Sequence, residues 1–316
     1  MFVSIRINRV FLIAAAAAVL AAVSIPVVAL SAQDRAEQNT EIRLPILMYH
    51  SILKEPKRQE KYTVSPSTLE NDMKYLQKNG YQTVSVQDLV DYVHGRNTLP
   101  EKPVMLTFDD GYYNNYVYAY PLAKKYRMKL VISPVGYYTD QFTESDWDHP
   151  NYSYLTWGEI SEMMASGLVE FQNHSYNLHS VKGRAGAQKR KYESNSAYRA
   201  MLLNDLSRMQ REMQEKTGYT PTAFVYPFGA YSPESVPVLK EIGFQASMTC
   251  QSKINTITKP PGLPAGSTSK KSGSAVRPDN LFFNFSGSLF PPDETGPASG
   301  MLPSASAELK RKAWAR

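Results

Sequence analysis

Short apolar runs and amphipathic stretches alternate from about residue 45 to about residue 245, and that alternation restricts the chain to few architectures. "PILMYH" (45–50), "YQTVS" (81–85), "VMLTF" (104–108), "KLVISPV" (129–135), "LVEFQN" (168–173) and "AFVYPFG" (223–229) read as strands. Helical patterns separate them. Leu69, Met73 and Leu76 share one face of 65–80, which stops at Gly80. Ser85 with Asp88, and Thr156 with Glu159, form capping boxes that open helices over 85–95 and 156–167. A long amphipathic segment over about 196–217 carries Leu203, Leu206, Met209 and Met213, and 116–126 and 232–244 read as shorter helices. Strands joined through helices pair in parallel, so the expected fold class is α/β: a parallel sheet covered by helices, open or closed into a barrel. In such sheets reactive groups collect at the carboxyl ends of the strands.

Three motifs fall at such ends. "LTFDDG" ends a strand on two adjacent carboxylates, Asp109 and Asp110. Asp-Asp-Gly is good turn chemistry, but one acid can also hold a metal while its neighbour, pointing elsewhere, moves a proton. "NHSYNLH" places His174 and His179 five residues apart, about 140° around a helix, so as ligands they must converge through a loop or a first helical turn. Two imidazoles and one carboxylate would leave a coordination position open, the arrangement of a catalytic site; two ordinary loop histidines remain the alternative. A metal there lowers a water's pKa, a carboxylate takes the proton, and hydroxide attacks a carbonyl. "YPFG" (226–229) forces a rigid turn whose backbone N–H groups can meet an oxyanion, or is a tight turn and nothing more. His50 also ends a strand and is a secondary site candidate; His94, at a helix end, and His149, in an acidic loop, are expected to be structural or exposed.

"TFDDG", "NHSYNLH" and "YPFG", in that order and with "PILMYHSI" ahead of them, resemble the polysaccharide deacetylases of the NodB-homology group, carbohydrate esterase family 4, from about Leu44 to about Thr258. The resemblance implies a distorted (β/α) barrel and metal-dependent removal of acetyl groups from a glycan containing N-acetylglucosamine, such as peptidoglycan, a chitin-like polymer or poly-N-acetylglucosamine. Acetylated xylan, or binding without turnover, are the alternatives. It implies Asp109 as general base and Asp110, His174 and His179 as ligands of one divalent metal, Zn²⁺ or else Co²⁺ or Ni²⁺. It places Ser175 at the small hydroxyl position of the histidine motif, and the Phe228 N–H beside the oxyanion, with Tyr226, Pro227 and Gly229 in the same substrate-facing motif. Two departures stand out. Tyr226 occupies the place of an arginine that steadies the base, and no histidine follows His179 to act as the late general acid.

Composition sets the boundaries. Residues 1–32 hold Arg6, Arg9 and a long uncharged apolar run, expected as an export signal or membrane anchor, and 33–43 as a linker. The net charge of +6 is confined to this segment and to 259–316, which leaves 33–258 neutral and argues against a nucleic-acid partner. The cations of "VKGRAGAQKRKY" (181–192) read as a solvated loop. Cys250 is the only cysteine, so no intrachain disulfide supports an exported fold, and the thiol is expected to be buried. From Lys259 onward the chain turns rich in Pro, Gly and Ser, as a reading-frame change would produce. Within that expected disordered tail only "LFFNFSGSLF" (281–290) is able to pack, an ending that can leave the barrel without its last strand.

Overall fold

A computed structural model describes residues 41–55, 62–145, 148–251, 255–258 and 283–286. Its strands are β1 (Glu41–Leu44), β2 (Ile46–Tyr49), β3 (Ser51–Ile52), β4 (Thr63–Val64), β5 (Gln82–Thr83), β6 (Pro103–Asp110), β7 (Leu130–Pro134), β8 (Val169–Phe171), β9 (Ala223–Val225), β10 (Ala246–Thr249), β11 (Asn255–Thr258) and β12 (Phe283–Ser286). The helices are α1 (Pro66–Lys78), α2 (Val86–Val93), α3 (Tyr120–Tyr126), α4 (Gly136–Glu144), α5 (Trp157–Ala165), α6 (Asn195–Thr217) and α7 (Ser235–Ile242), with a π-helical turn, Asn115–Ala119, leading into α3. Both expected capping boxes are formed, Ser85–Asp88 on α2 and Thr156–Glu159 on α5.

Parallel pairing runs β2–β6–β7–β8, with β5 also on β6, and β9–β10–β12. A parallel bridge between Asn173 and Phe224 joins the two sheets just past the end of β8. The carboxyl ends of β2, β6, β8, β9 and β10 thus face one side. β12 comes from the 281–290 stretch and pairs with β10 from Ala246↔Phe283 to Thr249↔Ser286. β1 and β11 form a separate antiparallel pair.

Strand side chains alternate between faces, and the packing follows that parity. Leu47, Leu106, Phe108, Ile132 and Phe171 share a core with α1, α5 and part of α6. Their neighbours Ile46, Met105, Val131, Val225 and Met248 share another with Val86, Leu89, Val90 and Val93 of α2. Counting by two along this second face leads from Met105 through Thr107 to Asp109, from Ile46 through Met48 to His50, and from Ala246 through Met248 to Cys250. The apolar face sealed by α2 therefore ends in ionisable and polar groups at the opposite rim.

Residues 1–40 and most of 259–316, on which the signal and tail expectations and most of the linker fall, lie outside the described residues; the last three residues expected as linker, 41–43, instead belong to β1. Among the described residues no helix is long and apolar enough to cross a membrane.

Candidate metal centre and active site

β6 delivers both acids into the interior: Asp109 is 3% and Asp110 5% exposed. The chain leaves the strand through two consecutive left-handed residues, Asp110 (φ 72°) and Gly111 (φ 72°). A Cβ at Gly111 would lie 2.6 Å from Pro134 Cβ, so this exit needs glycine for both its dihedral and its closeness to β7. The left-handed turn at Asp110 separates its side chain from that of Asp109.

The two histidines converge through a non-helical loop. Ser175 is left-handed (φ 77°), and its N–H donates to Asn173 Oδ1 at 2.8 Å. Ser175 Oγ accepts the Leu178 N–H at 3.0 Å, while Asp205 on α6 accepts the N–H groups of Tyr176 and Asn177. Asn173 is itself anchored to α6, donating to the Leu206 carbonyl and to Gln210 Oε1. The result brings one nitrogen each of His174 and His179 and one oxygen of Asp110 within 4.8 Å of one another.

The electrostatics of these three atoms fit a bound cation. His174 Nδ1 lies 2.8 Å from the Val225 carbonyl, which can only accept, so Nδ1 carries a hydrogen and Nε2, which faces Asp110 Oδ1 at 3.4 Å, is the nitrogen left to ligate a cation. His179 Nε2 is 2.8 Å from the same oxygen, yet Oδ1 is buried without an aligned hydrogen bond. Electron-rich atoms crowded this way need positive charge among them. A proton can serve one pair, whereas a divalent ion serves all three. The pKa directions agree. Burial would raise Asp110, but the two imidazoles outweigh it and hold its carboxyl well below the ordinary range. Burial would lower His174, but Asp110 and Asp109 raise it.

Asp109 stands beside this cluster and outside it. Burial pushes its carboxyl up, partly countered by His50 and His174. His50 Nε2 lies 3.9 Å from Asp109 Oδ2, so the secondary candidate is the imidazole facing the second acid. The "YPFG" turn adjoins the cluster at His179. Phe228 is left-handed (φ 60°), 47% exposed, and its ring sits 4.5 Å from that of His179. The next two N–H groups of the turn, of Gly229 and Ala230, are taken by the Tyr226 and Pro227 carbonyls.

Two sequence candidates are not substrate-facing. Tyr226 is 1% exposed and its hydroxyl bonds Ser235 Oγ at 2.5 Å in a core with Phe224 and Tyr198. Period-2 alternation explains this: Tyr226 shares parity with Phe224, on the face away from Asp109, so it does not stand in for an arginine. Ser175 is fully buried and spends its hydroxyl on the loop. The basic stretch 181–192 is a loop, mostly exposed as expected, with two buried residues at its centre. Ala187 is buried, and a Cβ on Gly186 would lie 2.5 Å from the Pro227 carbonyl oxygen, so this loop braces the 226–229 turn. Asn173, the first residue of "NHSYNLH", stands at a strand end as expected, but its anchoring bonds to α6 are not visible in sequence; Cys250, expected to be buried, is half-buried, and its place beside the acids follows from counting along β10. Burial, with Asp109 and Asp110 nearby, pushes the Cys250 thiol up to about 12.

The chain is similar to known proteins in sequence and in fold. The model of the family described as polysaccharide deacetylase matches residues 96–247. The solved de-N-acetylase of Aggregatibacter actinomycetemcomitans is 32% identical, with a TM-score of 0.60 over 68% of this chain and 91% of that one. IcaB from Ammonifex degensii is 25% identical, with a TM-score of 0.59 over 79% of this chain and 92% of that one. The poly-β-1,6-N-acetyl-D-glucosamine N-deacetylase of Escherichia coli K12 is 27% identical over 237 residues, which cover 69% of this chain but 35% of that protein. The chain thus spans about a third of that curated relative's length.

Proposed function

Because this chain belongs to the polysaccharide deacetylase family, we propose that it is an exported, metal-dependent N-deacetylase acting on a polymer of N-acetylglucosamine. The observation that carries the reading is a second buried carboxylate, Asp109, held beside a set of three converging ligand atoms and not part of it. Asp110, His174 and His179 would hold the cation, with Zn²⁺ suited to a donor set of two nitrogens and one oxygen. When bound, the cation supplies Lewis-acid activation of water and of the acetyl carbonyl.

The chain's own groups supply the proton traffic. Asp109 accepts the proton of the attacking water as the new C–O bond forms. The Phe228 N–H would donate to the developing oxyanion. His50, next to Asp109, would give a proton to the departing nitrogen as the C–N bond breaks, leaving acetate and a free amine. This assigns to His50 the acid role for which no histidine after His179 exists. The de-N-acetylase relative and the name of the Escherichia coli relative support an amide over an ester substrate and a poly-β-1,6-linked glycan over peptidoglycan or chitin. The apolar N-terminal run supports export.

Acetate release from poly-β-1,6-N-acetylglucosamine oligomers tests the reading. Release should stop with a chelator, return with Zn²⁺, and disappear in Asp109→Asn while that variant still binds one Zn²⁺. A folded, zinc-loaded protein that releases no acetate would refute it.

A further inference from the structure

β2 ends at Tyr49, and His50, whose ring lies 4.9 Å from that of Tyr62, is the residue between β2 and the two-residue strand β3. Two asparagines bond the backbone of this short segment. Asn115 Nδ2 donates to the His50 carbonyl at 2.8 Å. Asn114 Oδ1 accepts the Ile52 N–H at 2.8 Å, and its Nδ2 donates to Ser51 Oγ and to the Pro150 carbonyl, each at 2.9 Å. Three consecutive residues, 50 to 52, are thereby bonded to two consecutive amides.

Those amides are buried, Asn114 1% and Asn115 0% exposed, at the start of the π-helical turn that follows Asp109 and Asp110. π-Helical turns inside helices recur at functional sites. Asn115 Oδ1 is left without a hydrogen bond, so the amide is oriented for its Nδ2 contacts at the expense of its own acceptor. The segment 109–115 therefore carries the second acid, a ligand acid and the two amides that bond the backbone of residues 50 and 52 on one continuous stretch of chain.

We propose that Asn114 and Asn115 are positioning residues that set the separation of His50 from Asp109, and so couple proton donor to proton acceptor. The inference rests on the acid role given to His50 above. It predicts a selective defect. A displaced His50 slows departure of an amine, which needs a proton, and spares departure of a stabilised aryloxide, which does not.

The test compares acetate release from N-acetylglucosamine oligomers with hydrolysis of an activated aryl acetate, in zinc-loaded wild type, Asn115→Ala, His50→Ala and the double variant. Asn115→Ala should bind one Zn²⁺, keep aryl ester hydrolysis within about three-fold, and lose on the order of ten- to a hundred-fold in kcat for the amide with KM little changed, the range expected for displacing a catalytic group by about 1 Å. The double variant should be no slower on the amide than His50→Ala alone. Equal losses on amide and ester, or losses that multiply in the double variant, would overturn the positioning role while leaving the deacetylase reading intact. Full amide activity in His50→Ala would overturn the acid role and this inference with it. If Asn115→Ala fails to fold, Asn114→Asp takes its place. That variant keeps the acceptor for the Ile52 N–H, sets a carboxylate oxygen against the Pro150 carbonyl in place of a donated bond, and should show the same split between amide and ester.

Discussion

Replacing Asn173 with alanine removes one side chain and strands three partners. The amide accepts from the Ser175 N–H at 2.8 Å and donates to the Leu206 carbonyl at 3.2 Å and to Gln210 Oε1 at 3.1 Å, and the residue is fully buried. A buried group left unpaired costs about 1–3 kcal/mol. Leu206 lies inside α6, where its carbonyl is positioned for a helical bond, and Gln210 keeps its bond to the Pro221 carbonyl. The cost therefore falls mainly on Ser175 and half of Gln210, and we expect about 3 kcal/mol. Against total stabilities of about 5–15 kcal/mol the variant should remain folded. In urea unfolding, with a slope of about 3 kcal/mol per molar, the midpoint should drop by about 1 M with the slope unchanged. Ser175 would lose the bond that holds its left-handed conformation next to His174, so zinc affinity should fall by about ten- to a hundred-fold, as for other groups that orient a ligand. Asn177→Ala, at an exposed position in the same loop, is the control. A midpoint shift no larger than the control's, or a large shift with zinc affinity unchanged, would refute the claim that this buried amide organises the histidine loop.

Other consequences can be measured independently. Gly111→Ala places a Cβ 2.6 Å from Pro134 Cβ at a φ of +72°, so strain and overpacking together should cost about 3 kcal/mol or more and lower the melting temperature markedly. Tyr226→Phe removes only the bond to Ser235 Oγ, so stability should fall by about 1 kcal/mol and acetate release should be unaltered; a large loss of activity would return Tyr226 to the site. At Asp88, burial opposes ionisation, but Lys129 and the Ser85 cap outweigh it and lower the carboxyl below its ordinary 3.8. Its contribution to stability is thus complete above about pH 4 and lost as pH falls through the lowered folded value. Asp88→Asn should therefore flatten the acid limb of the stability–pH curve; an unchanged limb would disprove the assignment.

Much of the site was legible because local chemistry marks it. The apolar run of β6 ending in Asp109 and Asp110, the spacing of His174 and His179, and the proline of "YPFG" all declare themselves in a few residues. Tyr226 misled because motif position says nothing about which face of a strand a side chain takes, and parity sent it into the core with Phe224. Asn114 and Asn115 were silent for a different reason. Their partners, residues 50–52, lie more than sixty positions away, and an asparagine pair after a turn looks like ordinary turn chemistry. The helix over 136–144 was missed because its first-turn packing, Gly136 against Tyr176 and Met209, is entirely long-range.

The sequence by itself determined the α/β class, the capping boxes, the strand-end motifs and the family likeness, since each is built from short local patterns and the order in which they follow one another along the chain. Only the tertiary structure decided that Val225 orients His174, that His50 faces Asp109, and that the 281–290 stretch supplies a strand beside β10. Those choices depend on the register between strands far apart in the chain. Register is set by how whole faces pack, so no short stretch of sequence carries it.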